Sequence, residues 1–345
     1  MIKCLDTYKN IFIQQVDSLK VSPCCLAPAE KVTTDDILNN NNLVKIRKQM
    51  QDGIRPAECS TCWNNEDLGV TSRRLDSNSL YESLGYDTQD PELISIDYWV
   101  GNICNLKCVI CGPENSSAWQ QELDPGRKNS TYYNNEFWKK LDLTKLRQIH
   151  FNGGEPFLSK SHVEFLKAIP NKSQVSIGYN TNGTILPSEE LFSLWTSFKV
   201  VNIVFSIDDT GERFEYIRYP ANWIETISTI QKIKETISPN TYLHVLTAIG
   251  LLNIFSYPET VQWFENNLNL SEYRWQWTNG ILSCQVLPVK YEMVLRDIYK
   301  NTKFEYIIKG IKFNNNANLN QQITYLRGIE FQRKNDYKKI FQNLI

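Results

Sequence analysis

Residues 101–113 read GNICNLKCVICGP, and the three cysteines in this run, Cys104, Cys108 and Cys111, are spaced C-x3-C-x2-C. Thiolates this close along a chain can all reach one metal centre. Closed zinc and iron–sulfur sites take four protein ligands, so three leave one position open for a substrate or cofactor. The same spacing (i, i+4, i+7) also falls on one helical face, which makes three buried core thiols the competing reading. The flanking Asn102, Asn105 and Gly112-Pro113 favour a loop over a helix interior.

About forty residues further on, residues 149–158 read IHFNGGEPFL. The apolar stretch from Leu146 to Phe151 reads as a strand. Gly153 and Gly154 carry no side chains, so a ligand can approach the backbone there. Glu155 precedes Pro156, which biases it towards an extended conformation. A strand tip with exposed carbonyls and one carboxylate suits a protonated amine. Gly-Gly-Glu-Pro alone is an ordinary turn; after a three-cysteine loop at this distance it is specific.

The pair of motifs resembles the signature of the radical S-adenosylmethionine (SAM) superfamily. The resemblance implies that Cys104, Cys108 and Cys111 hold a [4Fe-4S] cluster whose fourth iron binds SAM. It implies that Gly153, Gly154 and Glu155 serve the SAM amino group, and that reductive cleavage gives a 5'-deoxyadenosyl radical that abstracts hydrogen from a substrate. Two further stretches extend it. In VSIGYNTNGT (175–184) the strand tip offers Asn180 and Asn182. In VVNIVFSIDDTGERFEYIRYP (200–220) the resemblance places Ser206 and Asp208 near the SAM ribose and Arg218 at its carboxylate. Asp209 stands where related chains have glycine, and aspartate tolerates turn conformations.

A second cysteine set, Cys4, Cys24, Cys25, Cys59 and Cys62, lies in the first hundred residues. Pro23-Cys24-Cys25, then Glu58 to Glu66 with its C-x2-C-W core, then Arg73-Arg74, resemble radical SAM proteins with a twitch (auxiliary-cluster) domain placed before the barrel. That implies a second iron–sulfur cluster on Cys4, Cys24, Cys59 and Cys62. Adjacent residues of an extended segment point oppositely, so Cys24 and Cys25 cannot both face one site, and Cys24 is favoured. A structural zinc is the competing reading, because a four-thiolate site suits either metal.

Strand patterns lie at 93–99, 146–151, 175–179, 200–207, 242–249 and 273–277, with helical patterns at 161–169, 188–197, 221–236 and 258–267. This alternation predicts an α/β fold with a parallel sheet, and the resemblance makes it a partial (β/α)6 TIM-like barrel with a small N-terminal twitch-like domain. The expected organisation is 1–90 auxiliary domain, 91–290 barrel and 291–345 a polar helical extension. Cys104, Glu155, Asn182, Ser206 and Asp208 all follow strand ends, where barrel active sites gather. Residues 115–143, with Trp119, Tyr132, Tyr133 and Trp138, read as a packed surface helix or a substrate lid. Tyr273, Trp275 and Trp277 share one strand face, as core or as a substrate platform. Cys284 reads as a buried inert thiol, or as a catalytic hydrogen donor if it faces the cavity. The Asn-rich stretches 39–42 and 314–318 read as loops.

The chain has 345 residues, 41% of them hydrophobic, a net charge of −1 and nine cysteines. That length suits one large domain plus a small one. The charge gives no bias towards nucleic acid or membrane. The N-terminus has no signal-peptide core and no run is apolar enough to span a bilayer. A cytoplasmic location is therefore expected, with the cysteines as metal ligands rather than disulfides. The expected substrate is a peptide or protein side chain, or alternatively a small molecule such as a sugar or aminocyclitol. The expected partner is a reductant such as flavodoxin or ferredoxin. A non-catalytic SAM- or metal-binding scaffold is the remaining alternative.

Overall fold

The computed structural model describes residues 2–15, 18–32, 37–67, 69, 71–126, 136–333 and 337–341. The chain divides into two compact units, residues 1–103, 128–180 and 188–202, and residues 104–127, 181–187 and 203–345.

The first unit is built on β1 (Asn10–Gln15), β2 (Leu19–Ser22), β3 (Glu30–Lys31), β4 (Ser95–Trp99), β5 (Gln148–Asn152) and most of β6 (Ser176–Thr181). β1 pairs antiparallel with β2, and β2 with β3. β1, β4, β5 and β6 run parallel, in that order. Their register aligns Ile11, Ile96, Ile149 and Ile177 in one row and Ile13, Tyr98, Phe151 and Tyr179 in the next. All eight are fully buried. Alternation puts both rows on one face, which Phe165 from the helix Ser161–Ala168 covers. The other face carries more polar side chains, among them Asn10 and Asp97, joined by a hydrogen bond of 3.3 Å. β1 thus extends the parallel strands directly, and the packing has no boundary at residue 90.

His162 on the same helix is buried against Phe151 and Tyr179. Burial pushes its pKa down to about 4. The unfolded chain, near 6.5, binds the proton more readily, so stability present above pH 6.5 is lost as pH falls towards 4. His162→Phe is expected to remove about 2–3 kcal/mol of that pH dependence, read as urea midpoints at pH 7 and pH 4.5.

In the second unit, the exit of β7 (Val200–Ser206) lies beside β8 (Thr241–Ile249), with the Ile207 amide donating to Leu246 O at 3.2 Å. β8 pairs parallel with β9 (Glu272–Trp277). The β9 aromatics occupy the half-buried face, as alternation requires. Tyr273 stacks on Phe264 of the helix Tyr257–Asn267, and the Trp275 indole donates to the Tyr306 hydroxyl at 2.8 Å. The row packs on an outer helix and the C-terminal segment, so of the two readings it is packing surface, not a platform facing the barrel interior. Leu295, Tyr299, Leu326 and Ile329 from beyond residue 290 enter the core of this unit, so the C-terminal helices are integral to it.

The six predicted strands and four predicted helices appear with ends shifted by at most two residues. Residues 39–42 are a loop only as far as Asn40. The Asn40 side chain accepts from the Asn42 and Leu43 amides, and Asn41 and Asn42 open the helix Asn41–Gln51; an N-cap asparagine satisfies two otherwise unpaired amides. Trp119 is buried on the helix Ser117–Leu123 and Trp138 on a short 3-10 turn, while Tyr132 and Tyr133 lie outside the described residues. No helix among the described residues is long and apolar enough to cross a membrane.

Candidate functional site

The cysteine loop of the second unit is held from outside. The Lys107 and Val109 amides donate to Tyr219 O and Ile217 O at 2.6 and 2.7 Å, which draws this stretch out straight. The Cys108 carbonyl accepts from the Trp119 indole at 2.9 Å. Ser117 closes the N-terminal end, accepting from the Cys104 amide at 3.1 Å and donating to its carbonyl at 3.2 Å. The Cys111 amide turns back on Cys108 O at 3.1 Å. The segment 104–116 is therefore an ordered loop and not the helical face of core thiols. Cys108 is buried, while Cys104 and Cys111 are partly open. Burial pushes the Cys108 thiol up to about 12, against the pull of Arg218.

Asn182, just past β6, donates to Asn105 Oδ1 at 3.0 Å, with the Cys104 sulfur 3.9 Å away. Asp208 takes the Ala248 amide at 2.9 Å and pairs with Arg218 Nη2 at 2.9 Å. Burial works against the Arg218 charge, but Asp208 and the thiols of Cys108 and Cys111 outweigh it and raise its pKa. Arg218 Nε is buried without a hydrogen-bond partner among the described residues, which leaves a donor for an anionic ligand. Ser206 is half-buried at the end of β7. Asn253, which the sequence did not flag, donates to both Asp208 O (2.8 Å) and Ala248 O (3.0 Å) and fixes this corner. Asp209 is more than a tolerated turn residue. Its buried carboxylate accepts from Ser256, Thr260 and Arg213 at 2.6–2.9 Å and anchors the helix Tyr257–Asn267. Cys284 sits fully buried in the core, its thiol pushed up to about 12 by burial.

In the first unit, Glu155 is completely buried, and its carboxylate accepts from the Phe157 amide at 3.1 Å. The glycines before it serve the protein's own backbone. The Gly154 amide donates to Gly101 O, and the Glu155 amide to Ile103 O, both at 2.7 Å. A Cβ on Gly154 would stand 2.3 Å from Ile103 O. The expected open approach for a ligand is filled at these positions by residues 101–103. Asn180 is half-buried near the end of β6.

Cys4, Cys24, Cys59 and Cys62 line one cavity in the first unit, together with Asp6, Arg73 and Arg74. Cys25 points to the exposed side, where its sulfur accepts from Arg73 at 3.4 Å. Arg73 clamps Asp6 and Asp97 at 2.8 and 2.7 Å. Arg74 pairs with Glu66 and lies over the Trp63 ring, whose indole donates to Pro56 O. The Glu58–Glu66 stretch and the arginine pair thus form the scaffold around the thiols. Among the described residues no three Cys, His, Asp or Glu side chains stand at metal-holding geometry. The fit to a cluster is one of donor type: a three-thiol loop in one unit, and four thiols on one cavity in the other.

Residues 99–255 match the family model of the radical SAM superfamily. This stretch is a radical SAM domain. The domain begins at the end of β4 and contains all three loop cysteines, Glu155, Asp208 and Arg218. Among curated proteins, the chain is 28% identical over 131 residues to a probable GTP 3',8-cyclase of Methanocella arvoryzae, covering 38% of this chain and 40% of that protein. The chain therefore spans well under half the length of that relative. Solved structures similar to it include anSMEcpe with bound AdoMet (14% identity, TM-score 0.47, 64% of this chain and 63% of that one). Another is SuiB of Streptococcus suis bound to the precursor peptide SuiA (10% identity, TM-score 0.45, 91% and 72%).

Proposed function

We propose that the chain is a radical SAM enzyme that abstracts hydrogen from a peptide or protein side chain, with a second cluster on its N-terminal thiols. A [4Fe-4S] cluster and S-adenosylmethionine, when bound, supply a 5'-deoxyadenosyl radical able to attack an unactivated C–H bond. The observation that carries the reading is the loop that presents Cys104, Cys108 and Cys111 with its backbone already bonded elsewhere.

On this reading the three thiols are the cluster ligands and Asn182 steadies the Cys104 end of the loop. Arg218 offers its unpartnered Nε to a carboxylate while Asp208 holds its other edge. Glu155 is assigned to an ammonium group, Gly153 and Gly154 set its position, and Ser206 and Asn180 are assigned to polar contacts with the cofactor. Cys4, Cys24, Cys59 and Cys62 are the proposed ligands of the auxiliary cluster, which would supply a one-electron acceptor if bound there. The peptide substrate rests on the likeness of the N-terminal cysteine arrangement to twitch-bearing proteins, and flavodoxin or ferredoxin is the proposed reductant.

Anaerobic reconstitution, followed by dithionite and SAM, tests this. About eight irons per chain and formation of 5'-deoxyadenosine are expected. About four irons with retained zinc would make the N-terminal site structural. No 5'-deoxyadenosine from loaded, reduced protein would overturn the reading. Deuterium transfer into 5'-deoxyadenosine from labelled peptides, against labelled sugars, decides the substrate class.

A further inference from the structure

Three consecutive carbonyls around Cys108 are each capped by a side chain from elsewhere in the second unit. Lys107 O accepts from the Arg333 guanidinium, Cys108 O from the Trp119 indole, and Val109 O from the Tyr325 hydroxyl at 2.7 Å. Tyr325 and Arg333 lie eight residues apart on the helix Asn320–Arg333, about 80° apart around its axis and so within one broad face. Both reach back more than two hundred residues along the chain.

Arg333 is itself buried. It also donates to Tyr216 O at 3.3 Å and lies between two rings, Trp119 at 5.0 Å and Tyr219 at 4.7 Å. Burial lowers its pKa, but a guanidinium keeps its proton at any physiological pH. This fixed positive charge is bonded to the carbonyl of Lys107, the residue immediately before Cys108. Net charge and hydrogen bonding around cluster sulfurs are what set iron–sulfur potentials.

We propose that the Asn320–Arg333 helix holds the cysteine loop in its observed shape through Tyr325 and Arg333, and that the Arg333 charge raises the reduction potential of the cluster on Cys104, Cys108 and Cys111. The second clause rests on the proposed function; the first does not. Tyr325 and Arg333 are positioning residues, since neither touches a reacting atom in this arrangement.

The test uses the full chain in two arms. Hydrogen exchange is followed at the amides of Val109 to Cys111 in wild type and Tyr325→Phe, which loses one hydroxyl and keeps the ring. About tenfold faster exchange there, with β4 to β6 unchanged, is expected. Redox titration of the reconstituted cluster by EPR then compares wild type, Arg333→Met and Arg333→Lys. Arg333→Met is expected to lower the reduced-to-oxidised ratio about tenfold at a fixed potential, and Arg333→Lys to restore most of it. Unchanged exchange in Tyr325→Phe would overturn the positioning role. Equal potentials in all three proteins would overturn the tuning role. If wild type assembles no cluster on these thiols while exchange still responds to Tyr325→Phe, the tuning role falls together with the functional reading, and the clamp stands.

Discussion

A Cys108→Ala protein is expected to fold normally and to form no detectable 5'-deoxyadenosine. Two quantities separate here. The structural loss is small, because none of the bonds that shape the loop uses the thiol. The Lys107 and Val109 amides go to Tyr219 and Ile217, and the flanking carbonyls go to Arg333, Trp119 and Tyr325. What disappears is one buried sulfur, worth roughly 1 kcal/mol. On the proposed function the chemical loss is complete, because a cluster held by three thiols would have no spare protein ligand. On the proposed function, iron should fall by about four per chain while any iron on the N-terminal thiols stays. Cys25→Ala is the control. Its sulfur is exposed and bonded to Arg73, so that variant should keep the wild-type iron content and the product. Product formation by Cys108→Ala, or a melting temperature too low to purify it, would refute this separation.

The strands were legible because their sequences are. Val200–Ser206 is a β-branched run bounded by polar residues, and Ile149, Phe151, Ile177 and Tyr179 alternate with small or polar neighbours. Helix starts were legible where a short polar residue precedes an amphipathic run, as Asn222 and Ser188 do. Asn40 carries the same signal, hidden by the asparagines around it. The parts that were not legible are long-range. Nothing local says that β1 lies against β4, or that the Asp209 carboxylate is spent on Ser256, Thr260 and Arg213. Tyr325 and Arg333 read as ordinary surface helix residues, because the carbonyls they cap are backbone atoms with no sequence signature. The loop cysteines stand out for the opposite reason: their short spacing is displayed by the chain alone, and it is the kind of spacing a metal centre would need. The N-terminal thiols fall between these cases. The Cys59–Cys62 pair was plain, whereas Cys4 and Cys24 reach the same cavity only through β1 and β2.

Gly154→Ala is expected to be strongly damaging to the first unit. The added Cβ would stand 2.3 Å from Ile103 O and 2.7 Å from the carbonyl carbons of Asn102 and Ile103. These are backbone atoms, so no rotamer change relieves the overlap. The chain must move by about 1 Å, and the move breaks the Gly154–Gly101 and Glu155–Ile103 hydrogen bonds. Two lost buried bonds and the displaced backbone together cost about 3–5 kcal/mol. Gly85 supplies the comparison. Its φ is +77°, and a Cβ there meets nothing within 4 Å, so Gly85→Ala carries only the left-handed penalty of about 1–2 kcal/mol. Urea midpoints of the two variants at constant slope measure the difference. The functional consequence follows from chain order. Ile103 immediately precedes Cys104, and Glu155 immediately follows Gly154, so one methyl group shifts the entry to the cysteine loop and the buried carboxylate together. Gly154→Ala should therefore lower cluster loading even in the fraction that stays folded. A variant within 1 kcal/mol of Gly85→Ala, loading iron as wild type does, would show that these two segments do not meet as closely as their hydrogen bonds require.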